Sequence, residues 1–387
     1  MFSFQVAQTC GKARFGRLST PHGEVDTPVF IPVGTAGSVK GVTPDQLRAA
    51  GVRMVLANTY HLMLRPGGAV VERLGGVHRF MAWHGPILTD SGGYQVFSLA
   101  HLRRIDDQAV VFRSHIDGAV VTLSPEDAVA IQRQLGADVI MQLDECPAGD
   151  ADKAAVAQAV RRSADWARRC RDAWAAQPTA AATGSYQALF GIQQGGIHQD
   201  LRAASAQALV AMDLPGYAIG GLSVGEGPAA MRRVLDWIDE LFPADRPRYL
   251  MGVGEPADIL AAVGAGVDMF DCVLPTRNGR NAEAFTWNGR VRLRNACHTQ
   301  DDTPIEPGCE CYTCRGFSRG AMRHYFLARE MLGPTLVSIH NLHFFSTFLA
   351  AIRQAIADGD LAARAAGWLA RMNAEEDARG GETPSGE

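Results

Sequence analysis

Short apolar runs, set off by glycine and proline, recur along the chain at 28–33, 53–57, 86–89, 138–143, 188–193, 217–219, 248–251 and 267–270. Each has the length of a strand buried on both faces. Helix-like stretches lie between them, and three begin with proline and acids in the first turn: Thr43-Pro44-Asp45-Gln46, Ser124-Pro125-Glu126-Asp127 and Glu255-Pro256-Ala257-Asp258. Eight strand–helix alternations predict an α/β fold with a parallel sheet, and the count fits a closed (β/α)8 TIM barrel better than an open doubly wound sheet. Two segments interrupt the alternation, one at 91–118 with alternating residues at 109–112, the other at about 276–319. The alternation at 2–6 reads as a strand of a small lid hairpin. The resulting division is a barrel with its lid at 1–275, an insertion at 276–335, a final barrel helix region at 336–372 and an acidic, Gly/Pro/Ser-rich tail at 373–387, expected to lack structure.

Composition narrows the function classes. The chain of 387 residues is 47% hydrophobic, so it can bury a large core, and its net charge of −4 excludes a general nucleic-acid coat. An RNA partner would have to meet a local basic surface. All the basic residues are arginine except Lys12, Lys40 and Lys153. The start, Met1-Phe-Ser-Phe-Gln-Val, has neither the basic nor the apolar region of a secretory signal, and the apolar stretch 344–352 is too short to span a bilayer. A soluble cytoplasmic protein with no membrane partner is expected.

Polar residues fall where the predicted strands end. Asp90 follows Ile87-Leu88-Thr89, Asp144 follows Ile140-Met141-Gln142-Leu143, and Asp271 follows Val267-Asp268-Met269-Phe270. Gln193 and Gln194 end the run beginning at Ala188, and Gly220-Gly221 follow Tyr217-Ala218-Ile219. The C-terminal strand ends form the catalytic face of a barrel. A single strand-end acid caps the next helix as readily as it catalyses. Three of them, beside glycines that let a flat ligand approach the backbone, suit nucleophilic attack at an anomeric carbon, proton transfer and recognition of a donor edge. A retaining glycosidase would share this chemistry.

Three of the eight cysteines crowd into Cys309-x-Cys311-x2-Cys314. In a chain without a secretory signal, such spacing indicates a metal rather than disulfides. Tetrahedral zinc needs a fourth ligand, for which His298, His324, His340 and His343 are all available. A closed Cys3His shell leaves no open position, so the metal would brace the insertion rather than activate water.

Taken together, the segments Ile87-Leu-Thr-Asp-Ser-Gly-Gly-Tyr-Gln95, Asp144-Glu-Cys146, Gln193-Gln-Gly-Gly196, Gly220-Gly-Leu-Ser-Val-Gly-Glu226, Phe270-Asp-Cys-Val-Leu-Pro-Thr-Arg277 and the cysteine cluster resemble the bacterial tRNA-guanine transglycosylases, from about residue 2 to 370. The resemblance implies a (β/α)8 barrel with a zinc subdomain inserted late, and His340 as fourth ligand beside Cys309, Cys311 and Cys314. It implies exchange of the wobble guanine of G-U-N tRNAs for a 7-deazaguanine base. In that reaction Asp271 is the nucleophile and Asp90 the acid/base. Asp144 binds the N1–H and 2-amino edge, Gln194 and the Gly221 N–H donate to the base carbonyl, and Tyr94 and Met251 sandwich the ring, with Ser91 nearby. Base choice would rest on Leu222, Ser223, Val224 and Cys146, with Gly220 also binding the substrate; Val224 implies the 7-aminomethyl base, from whose amine the Leu222 carbonyl can accept a hydrogen bond. Thr276, Arg277 and Arg280 match positions that hold the anticodon loop, while Arg290, Arg292 and Arg294 are further phosphate candidates. A second arginine run at 161–171 reads as a solvated helix face. The family also implies a homodimer, with contacts around 316–325 including Phe317 and His324.

Overall fold

A computed structural model of the chain describes residues 2–99 and 103–379. Eight parallel strands close into a barrel in sequence order: Val29–Gly34, Val55–Ala57, Ile87–Thr89, Val139–Met141, Ala188–Gln193, Gly216–Ile219, Arg248–Leu250 and Met269–Cys272. Each overlaps one of the predicted runs, the eighth shifted by two residues so that Asp271 lies within the strand. The last strand pairs with the first from Met269↔Val29 to Cys272↔Pro32, which closes the ring. Their inward side chains, among them Ile31, Leu56, Leu88, Met141, Phe190, Ala218 and Tyr249, form one core, and a larger core lies between the barrel and its helices.

Two of the three predicted helix starts are capping boxes. The Thr43 and Ser124 hydroxyls accept from Gln46 N and Asp127 N, and the side chains of those residues return to the cap backbone. Glu255 makes no such bond, because its carboxylate is drawn to Arg290 at 2.5 Å.

The amino-terminal segment departs from the expected lid hairpin. Ser3–Cys10, Ala13–Thr20 and Gly23–Thr27 form a three-stranded antiparallel sheet. Its Leu18 and Val25 join the barrel's interior core. Its Arg14 pairs with buried Asp268, which stands just before the eighth strand. The sheet therefore closes the amino-terminal end of the barrel, opposite the catalytic face.

At that same end Asp138, at the start of the fourth strand, accepts from His22 Nδ1 (2.7 Å), His78 Nε2 (3.0 Å) and Ile87 N (2.9 Å). The two imidazoles stack with centroids 3.6 Å apart and 22° between planes. The two stacked imidazoles thus meet the two oxygens of one carboxylate, and the three ligand atoms lie within 4.8 Å of one another. The hydrogen bond to Asp138 raises the His22 pKa, and the two imidazoles hold Asp138 down at about 2. A raised folded-state histidine pKa gives stability that is fully present below the unfolded value of ~6.5 and lost as pH rises through the folded value. Asp138→Asn is therefore expected to cost about 2 kcal/mol, and more at pH 5.5 than at pH 8.5. Denaturant melts at both values check this; an equal loss at each would refute the linkage.

The interruption after the third strand is a helix, Gly93–Leu99, followed by a small antiparallel sheet of Arg103–Ile105, Val110–Arg113 and Val120–Leu123. The second interruption holds a hairpin, Glu283–Thr286 with Gly289–Arg292, and has its own core of Ala284, Val291, Leu293, Ile305, Met322 and Phe326. One helix, Leu332–Asp358, serves both bodies. Its Leu336 and Val337 belong to the insertion's core, whereas Phe344, Phe345, Phe348 and Ile352 belong to the barrel's. The expected boundary at 335–336 thus falls inside a continuous helix.

By length and hydropathy that helix could cross a membrane, contrary to the expectation from 344–352 alone, but 67% of its apolar window is buried in the fold. It is a core helix. The final helix, Leu361–Arg379, runs past residue 373, where loss of structure was expected. Alanine, arginine, methionine and glutamate favour helix through Arg379; the rest of the expected tail, 380–387, lies outside the described residues.

Candidate active site

The carboxyl ends of the barrel strands surround a cavity of about 430 Å³. Asp90, Ser91, Tyr94, Asp144, Cys146, Gln194, Gly220, Gly221, Leu222, Val224, Met251, Asp271 and Arg277 all line it, although they come from six different strand ends and loops. Tyr94 is half exposed at the rim and Met251 only partly buried, so both can meet a flat ligand.

The three acids are held differently. Asp271 receives both of its hydrogen bonds on one oxygen, Oδ1, from the Tyr249 hydroxyl (2.5 Å) and Gly252 N (2.8 Å). Its Oδ2 is left for chemistry. Asp90 accepts from Asn58 Nδ2 (2.5 Å), Thr59 N (2.7 Å) and Gln95 Nε2 (2.8 Å). Asp144 accepts from Gln194 Nε2 (2.6 Å) and the Ser91 hydroxyl (3.3 Å).

Burial raises all three carboxyls above the ordinary aspartate value. Asp90 and Asp144 rise to about 6 against the pull of their donors, while Asp271 also rises. Desolvation destabilises a buried carboxylate more than two or three hydrogen bonds restore. Burial likewise pushes the Cys146 thiol to about 12, so this cysteine is neutral and is not a nucleophile.

Gln194 differs from its expected role in one respect. Its amide donates to Asp144, and its Oε1 is buried without a partner. A ligand with its own donor edge can displace this amide from Asp144 and free it to turn. Gly221, at φ +62°, brings its backbone against the same side chain: a Cβ there would lie 2.3 Å from Gln194 Oε1. Glu226 accepts from Ser223 N and Val224 N (2.9 Å for the latter), fixing the loop that carries Val224.

Asn58, Thr59, Tyr249 and Gly252 are not singled out in the sequence, and Gln95 and Glu226 enter it only as the ends of family segments. Asn58 and Thr59 follow the second strand directly, so the strand-end rule contained them. Tyr249 lies within the seventh strand and is fully buried, and only closure of the barrel brings it to Asp271.

The arginines separate. Arg277 reaches the cavity, and Arg280 has a buried Nη1 without a partner. Thr276 is buried, with its hydroxyl donating to Val273 O at 3.3 Å. Arg290 pairs with Glu255 and Glu283, Arg292 faces Glu283, and Arg294 lies over the Phe326 ring, so the first two are neutralised rather than open to phosphate. On the helix Lys153–Ala176, Arg161, Arg162, Arg168, Arg169 and Arg171 each pair with an acid; Arg162 is buried on Glu145 and so departs from the expected solvated face.

Apart from this cavity, Cys309, Cys311, Cys314 and His340 place their ligand atoms within 4.8 Å of one another. His340 Nδ1 lies 3.8, 3.6 and 3.3 Å from the three sulfurs in turn, while its Nε2 donates to Phe285 O at 2.8 Å. That bond fixes the tautomer and aims Nδ1 at the thiols. His298 is taken by Asp301 at 2.9 Å. The group can hold a metal ion, and its soft sulfurs suit zinc.

A sequence model of the family described as queuine tRNA-ribosyltransferase matches residues 9–374. The chain is 53% identical to the queuine tRNA-ribosyltransferase of Cereibacter sphaeroides over 360 residues, covering 93% of this chain and 94% of the relative. It is 52% identical to that of Novosphingobium aromaticivorans over 365 residues (94% and 97%). With that of Thermus thermophilus it shares 51% over 358 residues (92% and 91%).

Proposed function

Because the chain belongs to the queuine tRNA-ribosyltransferase family and is a pentosyltransferase, we propose that it exchanges the wobble guanine of G-U-N tRNAs for 7-aminomethyl-7-deazaguanine through a covalent bond to Asp271. The observation that carries this reading is the meeting of Asp271, Asp90 and Asp144 around one cavity with Asp271 Oδ2 unengaged.

In the first step Asp271 attacks the ribose anomeric carbon of a flipped-out nucleotide. The C1′–N9 bond breaks, its electron pair goes to the base, and a glycosyl–aspartate ester forms. The incoming base then displaces Asp271 from the other face, and two inversions retain configuration. One N-glycosidic bond replaces another, so no energy source is needed. Asp90, with a pKa of about 6, is poised to give a proton to the leaving base and take one from the entering base. To do so it must exchange one of its donors, Asn58, Thr59 or Gln95, for the substrate. Asp144 takes the N1–H and 2-amino edge once Gln194 yields, and Gln194 then turns to the base carbonyl. Val224, held by Glu226, restricts space beside the 7-substituent.

Zinc in the Cys309, Cys311, Cys314 and His340 site contributes folding energy to the insertion and takes no part in the exchange. Arg277 and Arg280 hold the anticodon loop, with Thr276 bracing their helix. A homodimer is supported by exposed apolar residues on the insertion, Tyr312, Leu327, Met331 and Leu332, beside Phe317 and His324. A tRNA substrate and eight cysteines without a disulfide support a cytoplasmic location.

Radiolabelled guanine incubated with unmodified G-U-N tRNA tests the proposal directly. Incorporation is expected, and none by the wild-type protein would refute it. Asp144→Asn is expected to raise the KM for guanine by about 10²–10³ with a smaller change in kcat, since a buried donor edge loses its charged acceptor. An unchanged KM would remove Asp144 from base recognition.

A further inference from the structure

Arg202 is wholly buried in the helix Gln199–Val210, directly behind the base cavity. Its Nε donates to Gly196 O (2.8 Å), and its Nη1 to Gly220 O (2.7 Å), Gln193 Oε1 (3.2 Å) and Gln193 O (3.4 Å). Its Nη2 donates to Gly221 O (3.2 Å). All these acceptors are uncharged carbonyls, and among the described residues the guanidinium forms no ion pair. Burial lowers its pKa only to about 10, so it is a cation at neutral pH. The charge of Glu226 acts on it without contact, and a buried ion held only by neutral carbonyls is a costly arrangement that packing alone would not require.

The direction of its grip gives the arrangement a purpose. In a planar trans peptide the C=O and the following N–H point opposite ways. The peptide bonds Gly220–Gly221 and Gly221–Leu222 are both trans. Since Arg202 holds the carbonyls of Gly220 and Gly221, the N–H groups of Gly221 and Leu222 point away from it. The first faces the Cys146 thiol, which lines the cavity. Gly221 at φ +62° is in the left-handed conformation from which concave backbone N–H sites for anionic oxygen are built.

We infer that Arg202 is a positioning residue that aligns and polarises the Gly221 and Leu222 N–H groups into a hole for the carbonyl oxygen of the departing base. This rests on the base-exchange reading above. As the glycosidic bond breaks, its electron pair enters the base and part of that charge settles on the carbonyl oxygen. N–H donors fixed beforehand, with a cation behind them, stabilise it without reorganisation.

The test compares guanine with 6-thioguanine, whose sulfur is a weaker acceptor, as incoming bases for wild-type enzyme and Arg202→Lys. The ratio of their kcat/KM values is expected to fall at least about fivefold in the variant. A merely structural loss would lower both bases alike and leave the ratio unchanged, which would overturn the inference. Should Arg202→Lys fail to fold, Gln193→Glu sets a carboxylate against the guanidinium and neutralises it in place. The ratio is expected to fall there too, and an unchanged ratio would again overturn the inference. Wild-type incorporation of guanine is the separate control. Its absence would sink base exchange itself, whereas normal wild-type exchange with unaltered discrimination in a folded variant sinks only the role of Arg202.

Discussion

Asp271→Asn is expected to lower guanine exchange by at least about 10⁴-fold, with no covalent RNA adduct trapped on denaturing gels. Asparagine fills the same space and can still accept from Tyr249 and Gly252, but its amide has no anionic oxygen to attack the anomeric carbon. The loss should appear in kcat rather than in tRNA affinity. Activity within tenfold of wild type would exclude Asp271 as nucleophile. The pH profile is set by the same burial. Exchange requires ionised Asp271 and ionised Asp144, so it should fall as pH drops through about 6, the value to which Asp144 is raised. Stability moves the other way. A raised carboxyl pKa favours the folded state below the unfolded value of ~3.8, and that contribution is lost as pH rises through the folded value. At pH 8 the Asp271→Asn protein should therefore melt no lower than wild type, which separates lost chemistry from lost folding.

Loss of the metal site is expected to have the largest effect on folding. Structural zinc sites contribute on the order of 10 kcal/mol to small domains. The insertion's own core is small, and it shares the helix Leu332–Asp358 with the barrel. Cys311→Ala, or extraction by a strong chelator, should therefore unfold the insertion and loosen the Asn341 contacts to Pro275 O (2.9 Å), Glu283 O (3.0 Å) and Phe285 N (2.9 Å). Those contacts brace the helix that carries Arg277, next to the catalytic strand. Zinc analysis, near-UV circular dichroism and exchange activity should fall together. Activity lost by chelation while the insertion stays folded would show that the metal does more than brace. Unchanged folding and activity with zinc removed would exclude the structural role.

Much of this was legible in the chain because barrel strands carry their signal locally. A strand buried on both faces is a short apolar run, so all eight were visible, and the polar residue after such a run is presented to the catalytic face. Asp90, Asp144 and Asp271 are found by that rule. The cysteine spacing is equally local. The amino-terminal hairpin is legible as pairing, but an alternating strand does not show that a third strand joins it or which end of a barrel it covers. The length of the apolar helix beyond 344–352 is likewise not visible in that stretch alone. Apolarity along Leu332–Asp358 reports burial, and only packing decides whether lipid or protein supplies it.

Sequence by itself determined the strand count, the acids at the strand ends, three of the metal ligands and the motifs that carry the family resemblance. Each depends on residues adjacent in the chain or on their periodicity. Tertiary structure decided that Tyr249 and Gly252 hold one oxygen of Asp271, that Gln194 caps Asp144, that His340 rather than His298 meets the cysteines, and that a buried Arg202 stands behind the glycine turn. These are meetings of side chains from distant segments. They exist only once the barrel closes, because hydrogen-bond direction and desolvation are properties of space rather than of order along the chain.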